Sequence, residues 1–343
     1  MKKRWRIRRE LVFCFLVLGL ILGAMGGCGK KGEKTVTGHV SLSRGKITEN
    51  SVVLGVGNEG VRYSELQGYC YLLRKQYQSS FGGGLWDYSL DGKQTIGDEA
   101  KEEIINMITE LKVIAAAAKQ EKVELTADEK DDAIRQAEKV LSEASDKDKE
   151  KYHLTEQIMT GIFENNILAN KMFYIATDAA STEVSDEEAR QAAIQYLYIM
   201  TEKTDENGVK TSLSDQEKET ARKRVGKLLT EAKKASDFLE FARKNSDDTR
   251  VELFLGHDED SLPSEVVTTG MALGTGKFSD VVTASNGFYI LYCVNSNDSD
   301  ATYRKKEEII ESRQVKMFKE KYTRWLGESE ISISSSFWKI FEI

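Results

Sequence analysis

Ile194-Gln195-Tyr196-Leu197-Tyr198-Ile199-Met200 and Phe288-Tyr289-Ile290-Leu291-Tyr292-Cys293-Val294 are the two stretches whose reading decides the fold. Both are short, rich in β-branched and aromatic residues, and free of glycine and proline, which reads as strand. The second is the clearest strand in the chain. Between them, Thr201 to Thr211 is polar, contains Asn207-Gly208 and reads as a loop. Ser214-Asp215-Gln216-Glu217 is a capping box opening a helix to about Lys234. Ser236 begins a shorter helix carrying Phe238, Leu239, Phe241 and Ala242, and Val251 to Leu255 reads as another strand. The result is a β-α-α-β-α-β module between about 193 and 297.

Helices flank this module on both sides. Upstream, Val52 to Val56 reads as a short strand, with a hairpin turn at Asn58-Glu59-Gly60. Ser64 starts a helix with Leu66, Tyr69, Cys70 and Leu73 on one face. Asp98 to Gln120 repeats Ile104, Ile105, Ile108, Leu111, Ile114 and Ala115 at helical spacing. Thr126-Ala127-Asp128-Glu129 caps a helix through Leu141. Ser142 to Lys151 is charged and reads as a loop. A helix follows from about Thr155 to Ile175, and Ser185-Asp186-Glu187-Glu188 caps a short one. Downstream, Arg304 to Leu326 closes the chain with Ile309, Ile310, Val315, Phe318, Tyr322 and Trp325 facing the earlier helices. Ile331 to Ile343 alternates and reads as a returning strand. The expected fold is helix-rich α+β, a split helical domain with the module inserted in it.

The chain has 343 residues, 40% of them hydrophobic and 31% charged, with a net charge of −7. Beyond the amino terminus the basic residues are spread out, which gives no nucleic-acid footprint. Pro263 is the only proline, and the scarcity of helix breakers favours long helices. His39, His153 and His257 have no metal-like spacing with one another or with cysteine, so no metal site and no cofactor is expected. There is no GxSxG elbow. Gly82-Gly83-Gly84 lacks the Lys-Ser/Thr of a phosphate loop and reads as a flexible turn.

The first residues carry an address. Lys2, Lys3, Arg4, Arg6, Arg8 and Arg9 precede an apolar run from Leu11 to Met25, shorter than the roughly 18 residues of a spanning helix. Ala24-Met25-Gly26-Gly27-Cys28 then supplies small residues at a cut site. A cysteine at that point resembles a lipobox, although Met25 stands where leucine is usual. An uncleaved anchor with an incidental cysteine is the other reading. Both place the remainder at the extracytoplasmic face of the cell membrane, lipid-anchored through Cys28 in the first case. Cys14 lies in the signal. Cys70 and Cys293 read as small core residues, with a disulfide between them left open.

The stretch from Ile194 to Asn297 resembles a parvulin-type peptidyl-prolyl isomerase domain. Tyr196-Leu197-Tyr198-Ile199-Met200 stands where the family strand ends in His-Ile-Leu. Asp237-Phe238, Ala242, Ser246 and Asp248 follow the family's helix phrase. Leu273, Gly276 and Ser279 precede the last strand, which opens Gly287-Phe288-Tyr289-Ile290. With the lipobox and the flanking helices, the whole arrangement resembles PrsA/SurA-type foldases. Both family histidines are replaced, by Tyr198 and Tyr289. The supporting threonine aligns with Ala284, and two family glycines are missing around Val251-Glu252. Asp248 stands where active members carry cysteine or aspartate.

The resemblance implies signal peptide 1–27, lipidated tether 28–50, helical chaperone domain 51–190, parvulin-like domain 191–298, and a helix and tail at 299–343 packing on the chaperone domain. It implies unfolded or newly exported polypeptides as partners and leaves a homodimer open. It also implies Asp248, Tyr198 and Tyr289 as the isomerase centre and Val266 and Met271 as the apolar floor that binds peptide. Tyrosine keeps the hydrogen-bonding of histidine but does not titrate near neutrality. Tyr198 and Tyr289 equally read as core packing, and Asp248 as a turn residue in Ser246-Asp247-Asp248-Thr249. Three functions are weighed: a membrane-anchored foldase with a degenerate isomerase module, an active prolyl isomerase, and a structural or solute-binding lipoprotein. The first fits the replaced histidines best.

Overall fold

The structure, a computed structural model, describes residues 40–89, 92, 95–204, 208 and 210–341. The signal, Cys28 and the proposed tether up to residue 39 lie outside the described residues. Strand β1 (Val52–Val56) turns through Gly57-Asn58 into β2 (Glu59–Arg62), with Gly57 at φ 56°. The turn comes slightly earlier than Asn58-Glu59-Gly60 suggests. Helix α1 (Tyr63–Phe81) follows, then a 3-10 turn at Gly83–Asp87 in place of a flexible glycine turn. Trp86 fixes it: its ring is buried, flanked by Tyr77 and covered by the Arg74 guanidinium at 5.2 Å.

Helix α2 (Ile96–Gln120) begins at a capping box of Thr95 and Asp98, which satisfies two orphan donors. Helix α3 (Ala127–Glu143) begins at the expected box of Thr126 and Glu129. The charged stretch read as a loop contains helix α4 (Asp146–Lys151). Ser145 caps it, and Tyr152 at its end is buried against Tyr71. Next come α5 (Glu156–Thr177), α6 (Asp186–Ala189) and β3 (Ala192–Met200). The segment read as a polar loop is a hairpin of β4 (Glu202–Thr204) and β5 (Lys210–Ser212), closed by Leu213 N–H donating to Thr201 O. Helix α7 (Asp215–Ala232) starts at the Ser214 box, whereas α8 (Phe238–Asn245) is capped by Asp237 rather than Ser236. Then come β6 (Glu252–Leu255), α9 (Ser264–Ala272), β7 (Val282–Ala284), β8 (Gly287–Asn295) and α10 (Ser299–Gly327). The tail forms only a short strand, β9 (Ile331–Ile333), before α11 (Ser335–Trp338).

Two compact units result. One holds the described residues up to Ala179 and those from Gln314 on; the other is Ala180–Arg313. The helical unit packs Ile104, Ile108, Leu111 and Ile114 of α2 with Met159 and Ile162 of α5 and Leu66 and Tyr69 of α1. Phe318, Tyr322 and Trp325 of α10 enter the same core. Each such side chain contributes roughly 1.5–3 kcal/mol when buried. A small antiparallel sheet of order β2-β1-β9 belongs to this unit. Cys70 is free and buried here, and Cys293 is free and buried in the other unit.

The second unit is built on an antiparallel sheet of order β6-β3-β8-β7. Strand β3 is covered on both faces, which explains its nearly continuous apolar sequence. Ala192, Ile194 and Tyr196 face Leu255, Val266 and Met271. Leu197 and Ile199 face Val225 and Leu228 of α7 and Phe238 and Ala242 of α8. The molecule is therefore α+β and rich in helix.

One acid sits inside the helical core. Glu110 of α2 is 2% exposed and its Oε1 has no hydrogen-bond partner. Burial raises its pKa from 4.5 to about 7; burial also raises the Tyr322 hydroxyl, and the nearby Glu110 charge adds to that rise. The folded state binds this proton more tightly than the unfolded chain does. The stabilisation is complete below about pH 4.5, is lost as pH rises to about 7, and is flat above, for a total of at most about 3 kcal/mol. Trp86, Trp325 and Trp338 all lie in this unit, so tryptophan fluorescence follows its unfolding. The fluorescence melting temperature is expected to be lower at pH 8 than at pH 5. Glu110→Gln should raise it at pH 8 and flatten the difference; an unchanged difference in the variant would contradict the assignment.

Candidate functional site

The pairing of β3 with β8 sets Tyr198 directly opposite Tyr289. Opposed residues project to the same face of an antiparallel pair, and so do residues two apart on one strand. Tyr196, Tyr198 and Tyr289 therefore form one aromatic cluster. The Tyr198 and Tyr289 ring centroids lie 4.7 Å apart, and those of Tyr196 and Tyr289 lie 6.1 Å apart. Gly287 makes the closeness workable, because a Cβ there would overlap the Ile199 carbonyl oxygen and the Tyr198 ring.

All three hydroxyls are engaged. Tyr196 donates to Asp248 Oδ2 at 2.8 Å. Tyr198 donates to the Asn286 carbonyl at 2.6 Å, which also accepts from Thr201 N–H. The Tyr289 hydroxyl and the Asn286 carboxamide bond each other, at 3.0 Å from Nδ2 and 3.3 Å to Oδ1. Asn286 lies in the tight connection between β7 and β8, a position suited to asparagine. It thus ties two rings to one turn.

Asp248 is fixed from the other side. Its Oδ1 accepts from Arg250 N–H at 3.0 Å, and its own N–H donates to Ser246 Oγ. Ser246 Oγ also accepts from Tyr198 N–H, and Asp247 N–H donates to Tyr198 O. This turn runs beside the end of β3 and continues its pairing. Asp248 closes a side-chain turn, as its turn reading expects, and also meets a tyrosine of the sheet. The partner, however, is Tyr196, not Tyr198 or Tyr289.

Burial is the leading cause that raises the pKa of Tyr196, Tyr198 and Tyr289; the Asp248 hydrogen bond and charge add to it at Tyr196. All three remain neutral phenols at physiological pH and cannot take up a proton as histidine does. The centre offers an acceptor, Asp248, with both oxygens committed, and hydroxyl donors that are already spent. Val266 and Met271 are 0% and 4% exposed, packed with Tyr196 and Tyr289 in one core. A cavity of about 510 Å³ in this unit runs along α9 past Arg190, His257, Leu262, Val267 and Met271. Neither Asp248 nor any of the three tyrosines lines it.

The sequence pointed to Asp248, Tyr198, Tyr289, Val266 and Met271, and the fold brings all five to one side of the sheet. It gave no role to Tyr196 or Asn286. The strand period carries a signal for Tyr196, which lies two residues before Tyr198. Nothing in the sequence marks Asn286 beyond the Asn286-Gly287 pair. Among the described residues, no group of three or more His, Cys, Asp or Glu side chains could hold a metal. No described helix is long and apolar enough to cross a membrane.

Residues 200–295 match the family model of rotamase, the PPIC-type PPIASE domain. Among solved structures, the chain is similar to the foldase protein PrsA of Streptococcus pneumoniae, with 18% identity, 81% of this chain and 92% of that chain covered, and a TM-score of 0.31. It is similar to the foldase protein PrsA of Lactococcus lactis at 15% identity, covering 83% and 96%, with a TM-score of 0.34. A SurA-like chaperone of Campylobacter jejuni is similar at 11% identity, covering 83% and 100%, with a TM-score of 0.30. No curated protein matches the chain.

Proposed function

We propose that the protein is a foldase of the extracytoplasmic face that holds newly exported, unfolded polypeptides and is tethered to the membrane by a lipid on Cys28. In this reading residues 28–50 are the tether, 51–190 and 299–343 form the holding body, and 191–298 are an isomerase-type module whose catalysis has lapsed. One observation carries the last point. The hydroxyls at both family histidine positions are bonded to Asn286, and Asp248 is bonded to Tyr196. Prolyl isomerisation must lower an amide-rotation barrier of about 18–20 kcal/mol. Tyr196 and Tyr289 are buried and Tyr198 and Asp248 half-buried; a cluster whose donors and acceptors already satisfy one another has little to offer a rotating amide, and fold alone does not confer activity.

An active isomerase is the second reading. It is favoured by Asp248, which keeps a carboxylate at the family's central position against the tyrosine cluster. The two are separated by a proline-peptide isomerisation assay on the chain starting after Cys28. The proposal expects a rate no faster than buffer, together with suppressed aggregation of an unfolded protein. Acceleration that falls with Asp248→Ala establishes the isomerase instead. Failure to suppress aggregation removes the holding role.

The anchor has its own check. Intact-mass analysis of the membrane-extracted protein is expected to show a diacylglyceryl adduct on a chain beginning at Cys28. An unmodified chain that retains residues 1–27 would identify an uncleaved anchor.

A further inference from the structure

The last described stretch of the chain is pinned at two points and exposed between them. Phe337 and Phe341 are buried, with ring centroids 4.7 Å apart, and Phe337 meets Tyr63 at 6.1 Å. Between these anchors, Trp338 and Ile340 are 41% and 58% exposed, whereas Trp86 and Trp325 are buried. Ile331 and Ile333 of β9 are 37% and 40% exposed. Single exposed apolar side chains are ordinary. Here, however, four of the twelve exposed large ones among the described residues fall between Ile331 and Ile340, which marks this end of the helical unit as a contact surface.

The segment that leads in from Cys28 joins the body at the same place. The Ser334 hydroxyl donates to Ser43 O at 2.8 Å, and Gly45 N–H donates to Ser336 Oγ at 3.2 Å. Ser43 is also tied to Val52 of β1 by two hydrogen bonds of 2.9 Å. Val40 lies over Gly55, where a Cβ would come within 3.1 Å of it. Trp338 is two residues beyond Ser336, so their Cα atoms are at most about 7.6 Å apart. Val40 is twelve positions after Cys28, a reach of at most about 40 Å. A lipid on Cys28 would therefore keep the tail within reach of the bilayer surface.

The charges around the patch select its occupant. Arg44 and Lys46 are exposed in the incoming segment, Lys339 is exposed between Trp338 and Ile340, and none of the three is in an ion pair among the described residues. Two neighbouring acids are placed elsewhere: Glu49 lies 3.8 Å from His153, and Glu330 Oε1 is buried. Tryptophan is amphipathic and suits the boundary between headgroups and acyl chains. Lysine and arginine lay their stems on apolar surface and keep the charge in water, where anionic headgroups attract it. A purely apolar partner would leave these cations unpaired. An anionic lipid surface satisfies both kinds of group.

We propose that the tail and the incoming segment form a membrane-docking face. Trp338 and Ile340 enter the headgroup layer of an anionic bilayer, and Arg44, Lys46 and Lys339 meet its headgroups. The proposal rests on the membrane tether of the foldase reading and adds an orientation to it: the helical unit lies with this end against the lipid.

The test uses the full-length protein reconstituted into phospholipid vesicles, zwitterionic or anionic, with brominated acyl chains that quench tryptophan on contact. In anionic vesicles the parent is expected to lose up to about a third of its emission, the share of one of the three tryptophans beyond residue 27. Trp338→Phe should abolish that loss. Ile340→Asp should reduce it severalfold without shifting the melting temperature. Arg44→Gln, Lys46→Gln and Lys339→Gln together should remove most of the preference for anionic vesicles, each cation contributing up to about fivefold in the docked fraction. Equal quenching of the parent and Trp338→Phe would overturn the proposal. A change in Trp338 emission on adding an unfolded client, or on raising the protein density, would then assign the patch to client chain or to a second copy. Intact mass separates the two readings. If Cys28 carries the diacylglyceryl adduct but Trp338 is not quenched, the docking face fails and the lipid tether stands. If Trp338 is quenched and Cys28 carries no adduct, the docking face stands and the lipid tether fails.

Discussion

The antiparallel pairing of β3 with β8 is the constraint on which the isomerase-type unit depends. These two strands are the centre of its sheet, covered by helix on one face and by α9 on the other. A shift of register by one residue would exchange the two faces and put Leu197 and Ile199 where Tyr196 and Tyr198 now stand. Gly287 pins the end of the ladder, since any side chain there collides with Ile199 and Tyr198. The same register that buries the core therefore delivers Tyr198 opposite Tyr289 and presents both to Asn286.

That geometry changes the meaning of the histidine replacements. A tyrosine in place of a histidine could have left a hydroxyl free to serve a bound peptide. Here packing and hydrogen bonding reinforce each other: rings pack at tilted angles, hydroxyls find partners at once, and burial keeps them protonated. Asp248, left without a histidine, is bonded by Tyr196 and by the backbone of its own turn. A network satisfied in this way is rigid and specific, and on the proposed reading it has little left to offer a substrate. The helical unit differs: Glu110 Oε1, the Tyr71 hydroxyl, Trp86 Nε1 and Asn166 Oδ1 are buried there without a partner. On the proposed reading, contact with client chains has moved from the sheet unit to the helical one.

Much of this was legible in the sequence, for physical reasons. The strands read clearly because β3 and β8 are buried on both sides. The helices at Thr126, Ser185 and Ser214 announced themselves through caps. Segments held by long-range contacts did not. Helix α4 depends on Tyr152 reaching Tyr71, and the turn before Asp87 depends on Trp86 lying between Arg74 and Tyr77. The hairpin of β4 and β5 was hidden because its strands are short and polar. At the site, the residues matching family positions were visible, but their partners were not. The bond from Tyr196 to Asp248 joins positions far apart in the chain, and the role of Asn286 comes from its carbonyl, which every residue has.

The central claim is that the tyrosine cluster is closed to substrate. It is tested most directly by labelling the tyrosine rings with carbon-13 and titrating the protein with a proline-containing peptide. The account predicts that the ring resonances of Tyr196, Tyr198 and Tyr289 do not move as peptide is added. A saturable shift of those three resonances, lost on Asp248→Ala, would contradict it and return the site to peptide binding.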